Sequence, residues 1–212
     1  MCVPHPHQLG ADFVARRTPY APGVESEPVL LTGASGLLGT WLRQVTPADT
    51  EVVSVTHRRR LPGGAEVVVD LRDRGAVSAA FARVRPGLVI HAGYARDEAS
   101  IVDATQNIVE MAHEVDADLL YISSDAVFSG DGLPRDEAAR PDPVWDYGRW
   151  KASAEASVVQ SCDHEVIRAA PTPPSARRPR DLKLSDGRAR EQLDWSPTRV
   201  LATSTPRPPA VR

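Results

Sequence analysis

The chain has 212 residues, 42% of them hydrophobic, and a formal net charge of −3. That is enough apolar residue for one core, and the near-neutral balance excludes a general nucleic-acid binder. Two cysteines, Cys2 and Cys162, are too few and too far apart for a disulfide framework, and no apolar run reaches the roughly 18 residues of a membrane span.

Residues 1–27 open Met-Cys-Val-Pro-His-Pro-His and lack the apolar stretch of a secretory signal. They read as a flexible leader, and the reducing cytoplasm is the expected compartment. His5 and His7 stand near Cys2, but in such a leader no metal site is expected. Five of the 19 prolines fall in residues 1–28 and eight in 171–212. The prolines mark a linker at the start of residues 171–202, and 203–212 as a disordered tail.

Between these edges the pattern alternates. Pro28-Val29-Leu30-Leu31 reads as a short apolar strand, and residues 37–45 have helical spacing. Strands follow over 51–56 and 66–69, then a helix over 77–84, a strand over 88–91 and a long helix over 100–115. A strand over 119–123, a helix over 150–161 and a last strand over 165–168 complete the run. Apolar strands separated by helices predict an α/β fold. It is a Rossmann-type doubly wound parallel sheet with helices on both faces, over residues 28–170.

Gly33, Gly36 and Gly39 stand in Thr-Gly-Ala-Ser-Gly-Leu-Leu-Gly, directly after the first strand and at the start of a helix. Glycines there permit a tight turn and close backbone approach to a pyrophosphate, and the helix N-terminus supplies N–H donors. Ser35, Leu37 and Leu38 share this turn. The second strand ends in His57-Arg58-Arg59-Arg60, with no carboxylate for the ribose 2′-hydroxyl of NAD. Arginines can instead neutralise a 2′-phosphate, so NADP (NADPH) is expected over NAD. Asp70 and Leu71 end the third strand near the adenine, and Ala92-Gly93-Tyr94 follows the fourth.

Lysine is rare: the chain has only Lys151 and Lys183. Lys151 falls four residues after Tyr147, in Tyr-Gly-Arg-Trp-Lys, and residues four apart share a helix face. An ammonium beside a phenol lowers the phenol's pKa and makes it a usable proton donor. Upstream, Tyr-Ile-Ser-Ser-Asp-Ala-Val-Phe places Ser123 and Ser124 at a strand end, where parallel sheets bind ligands.

The glycine turn, the serine and Tyr147-x-x-x-Lys151 together resemble the extended short-chain dehydrogenase/reductase superfamily, in its sugar-nucleotide branch. Within it the local matches resemble the dTDP-4-dehydrorhamnose reductases: Leu-Thr-Gly-Ala-Ser-Gly-Leu-Leu-Gly, Ser-Ser-Asp-Ala-Val-Phe and Tyr-Gly-Arg-Trp-Lys. Arg135-Asp136-Glu137 followed by Pro141 and Pro143 adds to the likeness, which spans roughly residues 28–170. The resemblance implies that Tyr147 gives a proton to a carbonyl oxygen. Lys151 lowers its pKa and holds the nicotinamide ribose, and Ser124 bonds the substrate oxygen, with Ser123 the alternative. NADPH would deliver hydride to the C4 ketone of a nucleotide-linked sugar. Partners are then a small-molecule substrate and a possible homodimer, with no nucleic acid and no membrane.

The chain also departs from that family. No asparagine stands at Ile101-Val102-Asp103, where a proton-relay residue is usual, and Asn107 is expected to face elsewhere. Ala126 replaces a tyrosine. After Arg168 the usual substrate lobe is largely missing, and residues 179–201 resemble only its far C-terminal end. Two further classes therefore stay open. One is a non-catalytic NADP-binding regulatory protein similar to the methionine adenosyltransferase β subunit. The other is an oxidoreductase acting on another small carbonyl compound.

Overall fold

The structure is a computed structural model that describes residues 27–58, 60–130, 134–136, 138–161, 164–169 and 183–184. Its strands are β1 (Val29–Thr32), β2 (Val52–Thr56), β3 (Ala65–Val68), β4 (Leu88–His91), β5 (Asp118–Ser124), β6 (Pro134–Arg135), β7 (His164–Ala169) and β8 (Lys183–Leu184). The helices are α1 (Leu37–Val45), α2 (Arg74–Val84), α3 (Glu98–Glu114) and α4 (Asp146–Gln160). Six strands form one sheet in the order β3-β2-β1-β4-β5-β7, every pair parallel. This is the Rossmann-type α/β fold that the alternation predicts.

The strand order fixes the faces. The chain moves one way from β1 to β3, then crosses back and moves the other way through β4, β5 and β7. Right-handed crossovers then put α1 on one face and α2, α3 and α4 on the other. Leu30, Val53, Val55, Val89, Leu119 and Tyr121 turn toward the three-helix face, where they join Val77, Phe81, Ile101, Ile108, Met111 and Val158 in the core. On the opposite face an apolar groove between α1 and the sheet is lined by Leu31, Leu42, Val45, Val52 and Ile90. Burying a Leu- or Ile-sized side chain contributes about 2 kcal/mol, so the three-helix face holds most of the fold's stability.

Helix starts are set locally. Asp73 accepts the N–H of Ala76 at 3.0 Å and Asp97 that of Ser100 at 2.9 Å, each capping a first turn. These caps begin α2 and α3 a little before the first apolar-periodic residue, at Arg74 and Glu98 rather than 77 and 100. The largest boundary difference is α4, which starts at Asp146 instead of Trp150. Its first turn reads Asp-Tyr-Gly-Arg, where glycine and an aromatic hide the helical pattern. Asp146 favours the start electrostatically, and Arg149 pairs with it one turn on. The parallel pair of β6 and β8 was not expected, since two-residue strands carry no periodicity. The rest of 170–212 lies outside the described residues, as do residues 1–26 with Cys2, His5 and His7.

Candidate active site

Thr32, His91 and Tyr121 are lateral neighbours in the register of β1, β4 and β5. Everything past them in these strands lies at the carboxyl edge of the sheet. Gly33 leaves β1 there with φ +68, a conformation that L residues with a Cβ rarely adopt. A Cβ on Gly33 would lie 2.7 Å from the carbonyl of Ala92 and from the nitrogen of Gly93. Gly39 brings α1 onto this exit, since a Cβ there would collide with Gly33 O and lie 2.6 Å from Ala34 Cα. Gly36 donates its N–H to Gly33 O at 2.9 Å and precedes α1. The first turn of α1 has no side-chain cap and no acidic residue, so its N–H groups face outward without a built-in anion. Ser35, Leu37 and Leu38 are exposed around it.

Thr32 ties the glycine turn to the loop after β4. Its Oγ1 accepts the N–H groups of Ala92 at 3.1 Å and of Gly93 at 2.9 Å. With both lone pairs used, its hydroxyl donates to His91 Nδ1 at 2.7 Å. The imidazole is then the Nε2–H tautomer, and it donates to Thr105 Oγ1 at 3.1 Å, which in turn donates to Ile101 O at 2.5 Å. Burial, with the Lys151 charge adding to it, pushes the His91 pKa down to about 3 and keeps the ring neutral. His91 is thus a strand-end anchor.

At the ends of β2 and β3, Asp70 holds Arg72 through a fork: Nε to Oδ1 at 2.9 Å and a terminal nitrogen to Oδ2 at 2.7 Å. The Arg72 guanidinium keeps the Asp70 carboxyl well below the usual carboxylate range. His57 Nε2 lies 3.6 Å from Asp70, and Arg58 is exposed beside it. Asp70, expected near an adenine edge, therefore has its oxygens engaged by an arginine two residues on. Leu71 packs against the core, and its carbonyl accepts from Asn107 Nδ2 at 2.9 Å. Asn107 does face away from Tyr147 and Lys151, as its helical position implies. Arg59 lies outside the described residues.

β5 runs out through Ser123 and Ser124 into a single 3-10 turn, Asp125–Val127. Ser124 Oγ donates to Asp125 Oδ1 at 3.0 Å and accepts the N–H of Ala126 at 3.2 Å. Ser123 Oγ is buried and makes no hydrogen bond among the described residues. The turn is pressed onto α4 at Gly148, where a Cβ would collide with Ala126 O and lie 2.9 Å from Pro143 Cβ. Glycine at 148 thereby brings the serine turn against the helix residue that follows Tyr147.

Lys151 is 2% exposed. Its Nζ donates to Ile122 O at 3.0 Å and lies 4.7 Å from the Tyr121 ring centroid and 4.5 Å from that of Tyr94. Burial pushes its pKa down to about 8, with Glu155 opposing one turn further along α4. The Tyr94 ring also meets the Tyr147 ring, centroids 5.7 Å apart. The Tyr94 side chain thus joins the two halves of the Tyr-x-x-x-Lys pair. Sequence reading missed Thr32 and Thr105. The position of Thr32 directly before the first glycine was the available signal for one of them.

Sheet order, the glycine turn after β1 and the Tyr-x-x-x-Lys helix after β5 define the class, the extended short-chain dehydrogenase/reductase fold. A family model described as the RmlD substrate binding domain matches residues 27–173. The chain belongs to the RmlD substrate binding domain family. It is 30% identical over 156 residues to methionine adenosyltransferase 2 subunit beta of Xenopus laevis, which covers 68% of this chain and 46% of that protein. It is 33% identical over 144 residues to dTDP-4-dehydrorhamnose reductase of Streptomyces griseus, covering 62% and 44%. Among solved structures it is similar to a hypothetical dTDP-4-dehydrorhamnose reductase from Sulfolobus tokodaii, with TM-score 0.63, 27% identity, and 68% and 55% covered. The chain thus spans about half the length of the relatives it matches.

Proposed function

We propose that this chain binds NADPH across the glycine turn and reduces a nucleotide-linked 4-keto sugar, in the manner of a dTDP-4-dehydrorhamnose reductase. The observation that carries the reading is Lys151, an ammonium buried in a protein that otherwise avoids lysine, one helical turn from Tyr147. A buried cation costs stability, and its use is to favour the tyrosinate that forms when the phenol gives up its proton.

The roles follow from position. The turn at Gly33, Ser35, Gly36 and Gly39, with Leu37 and Leu38, offers N–H groups to the pyrophosphate. His57 and Arg58 stand at the end of β2, where a 2′-phosphate would need positive charge, with Arg59 next in the sequence, and Asp70 and Leu71 border the adenine. Ala92, Gly93 and Tyr94 line the nicotinamide side. The cofactor, when bound, supplies hydride. Tyr147 supplies the proton to the new hydroxyl oxygen, and Lys151 steadies the charge left behind. Ser124 orients the substrate oxygen once its hydroxyl leaves Asp125, and the unpartnered Ser123 is the alternative donor. Residues 28–170 form the cofactor unit, and 171–202 are what remains of the substrate region.

The test is to mix folded protein with NADPH and a dTDP-4-keto-6-deoxysugar and follow the reduced-nicotinamide absorbance. Steady loss of that band supports the reading, and no loss refutes it. Two observations favour a second reading, a regulatory protein that binds NADP without turnover. The chain matches methionine adenosyltransferase β subunits over 46% of the Xenopus laevis protein, and the Ser124 hydroxyl is spent on Asp125. Tight NADPH binding with no turnover on any carbonyl substrate selects that reading.

A further inference from the structure

We propose that Tyr94 is a positioning residue for the Tyr147–Lys151 pair, its ring covering the lysine ammonium and meeting the tyrosine ring at a tilt. The proposal rests on the reading of that pair as the proton-donating machinery. It goes beyond that reading by naming what holds the ammonium in a charged state away from water.

The electrostatic surroundings of Lys151 are sparse. Its hydrogen bond among the described residues goes to a neutral carbonyl, Ile122 O. From β4 it faces His91, which burial keeps neutral. From β5 it faces Tyr121, whose phenol burial holds in the neutral form. On its own helix Tyr147 and Glu155 lie one turn to either side, and Glu155 adds its charge. Glu155 supplies the nearby negative charge, but that carboxylate is already gripped by Arg168 at 2.9 to 3.2 Å. What remains is the two ring faces at 4.5 and 4.7 Å. A cation over a tyrosine face within about 6 Å is attracted by the ring quadrupole.

Tyr121 and Tyr94 differ in kind. Tyr121 is part of the core and 1% exposed, whereas Tyr94 is 51% exposed on the loop after Gly93. Tyr94 can therefore be exchanged without a core penalty, and its ring separates Lys151 from solvent. It follows the glycine that abuts Gly33, so the loop that borders the dinucleotide turn also carries the cover of the ammonium.

Two lysines in the chain make the test direct. Protein grown with lysine labelled by an NMR-active carbon at Cε gives two resonances, Lys151 and Lys183, and Lys151→Met assigns them. The titration midpoint of Lys151 is read in four proteins, with Lys183 as internal reference. Tyr94→Phe keeps the wild-type midpoint. Tyr94→Leu keeps the cover but loses the ring quadrupole, and lowers the midpoint by about half a pH unit. Tyr94→Ala admits water and raises it above wild type. A Tyr94→Leu midpoint equal to wild type overturns the proposal. So does a Tyr94→Phe shift as large as that of Tyr94→Leu, or a Tyr94→Ala midpoint at or below it. The measurement needs neither cofactor nor substrate, so it can fail while the reductase assay succeeds, and the reverse.

Discussion

Gly33 and Gly93 meet backbone to backbone: a Cβ on the first would lie 2.7 Å from the nitrogen of the second, and a Cβ on the second 2.8 Å from the nitrogen of the first. The two loops that border the proposed cofactor cleft therefore have room for hydrogen only. Gly33→Ala combines this collision with a left-handed backbone and should cost at least about 2 kcal/mol in chemical denaturation. Gly63→Ala is the control. Its φ is +70 with nothing within 4 Å, so only the conformational part, about 1 kcal/mol, should be lost.

Removing the phenolic hydroxyl leaves the ring of Tyr147 in place against Tyr94. Tyr147→Phe should lower kcat by roughly a hundredfold or more, while NADPH binding, followed by fluorescence, stays nearly unchanged. Wild-type turnover in this variant would remove Tyr147 from the proposed role.

Lys151 has a sign that can be checked against pH. Its folded pKa of about 8 is below the ordinary 10.5. Below pH 8 both states are protonated, and the fold carries the whole cost of burying the charge. Between about pH 8 and 10.5 the unfolded chain holds the proton and the folded one does not, so stability rises with pH. At roughly 1.4 kcal/mol per unit the net cost is on the order of 3 kcal/mol, with the Ile122 bond and the ring contacts already counted in the shift. Lys151→Met should therefore be more stable than wild type near neutral pH by about 1–2 kcal/mol, and inactive. That difference should shrink as denaturation curves are taken above pH 8. A variant less stable than wild type at every pH would contradict the burial cost.

The cofactor preference is a separate matter from the chemistry. Asp70 is neutralised by Arg72, which leaves Arg58 and Arg59 as the expected charge for a 2′-phosphate. Replacing both by alanine should weaken NADPH by about tenfold or more and NADH by much less. Equal losses, measured by titration calorimetry, would rule out the NADP assignment.

Much of this architecture was legible because it rests on short-range rules. Val29 to Leu31 and Leu88 to Ile90 are apolar throughout, and Val52 to Val55 is broken only by Ser54, as expected of strands covered on two faces. The glycine spacing named the turn, and Tyr147 with Lys151 named a helix face. What stayed hidden depends on pairs distant in sequence. The hydrogen-bond chain from Thr32 to His91 to Thr105 spans 59 and 14 residues, and no local pattern encodes it. Asp70 looked available because its partner, Arg72, belongs to a turn whose geometry the sequence does not declare. Tyr94 was placed correctly on its loop, but the direction of its ring is decided by the cation beneath it.

Each residue proposed for hydride or proton chemistry, from the glycine turn at Gly33 to Lys151, precedes β7. The ends of β1, β4 and β5 and the first turn of α4 complete the constellation, and β7 only adds an outer strand to the sheet. Under the proposed function, the residues from Gly33 to Lys151 form one uninterrupted stretch, so the proposed chemistry can be transplanted as a single block.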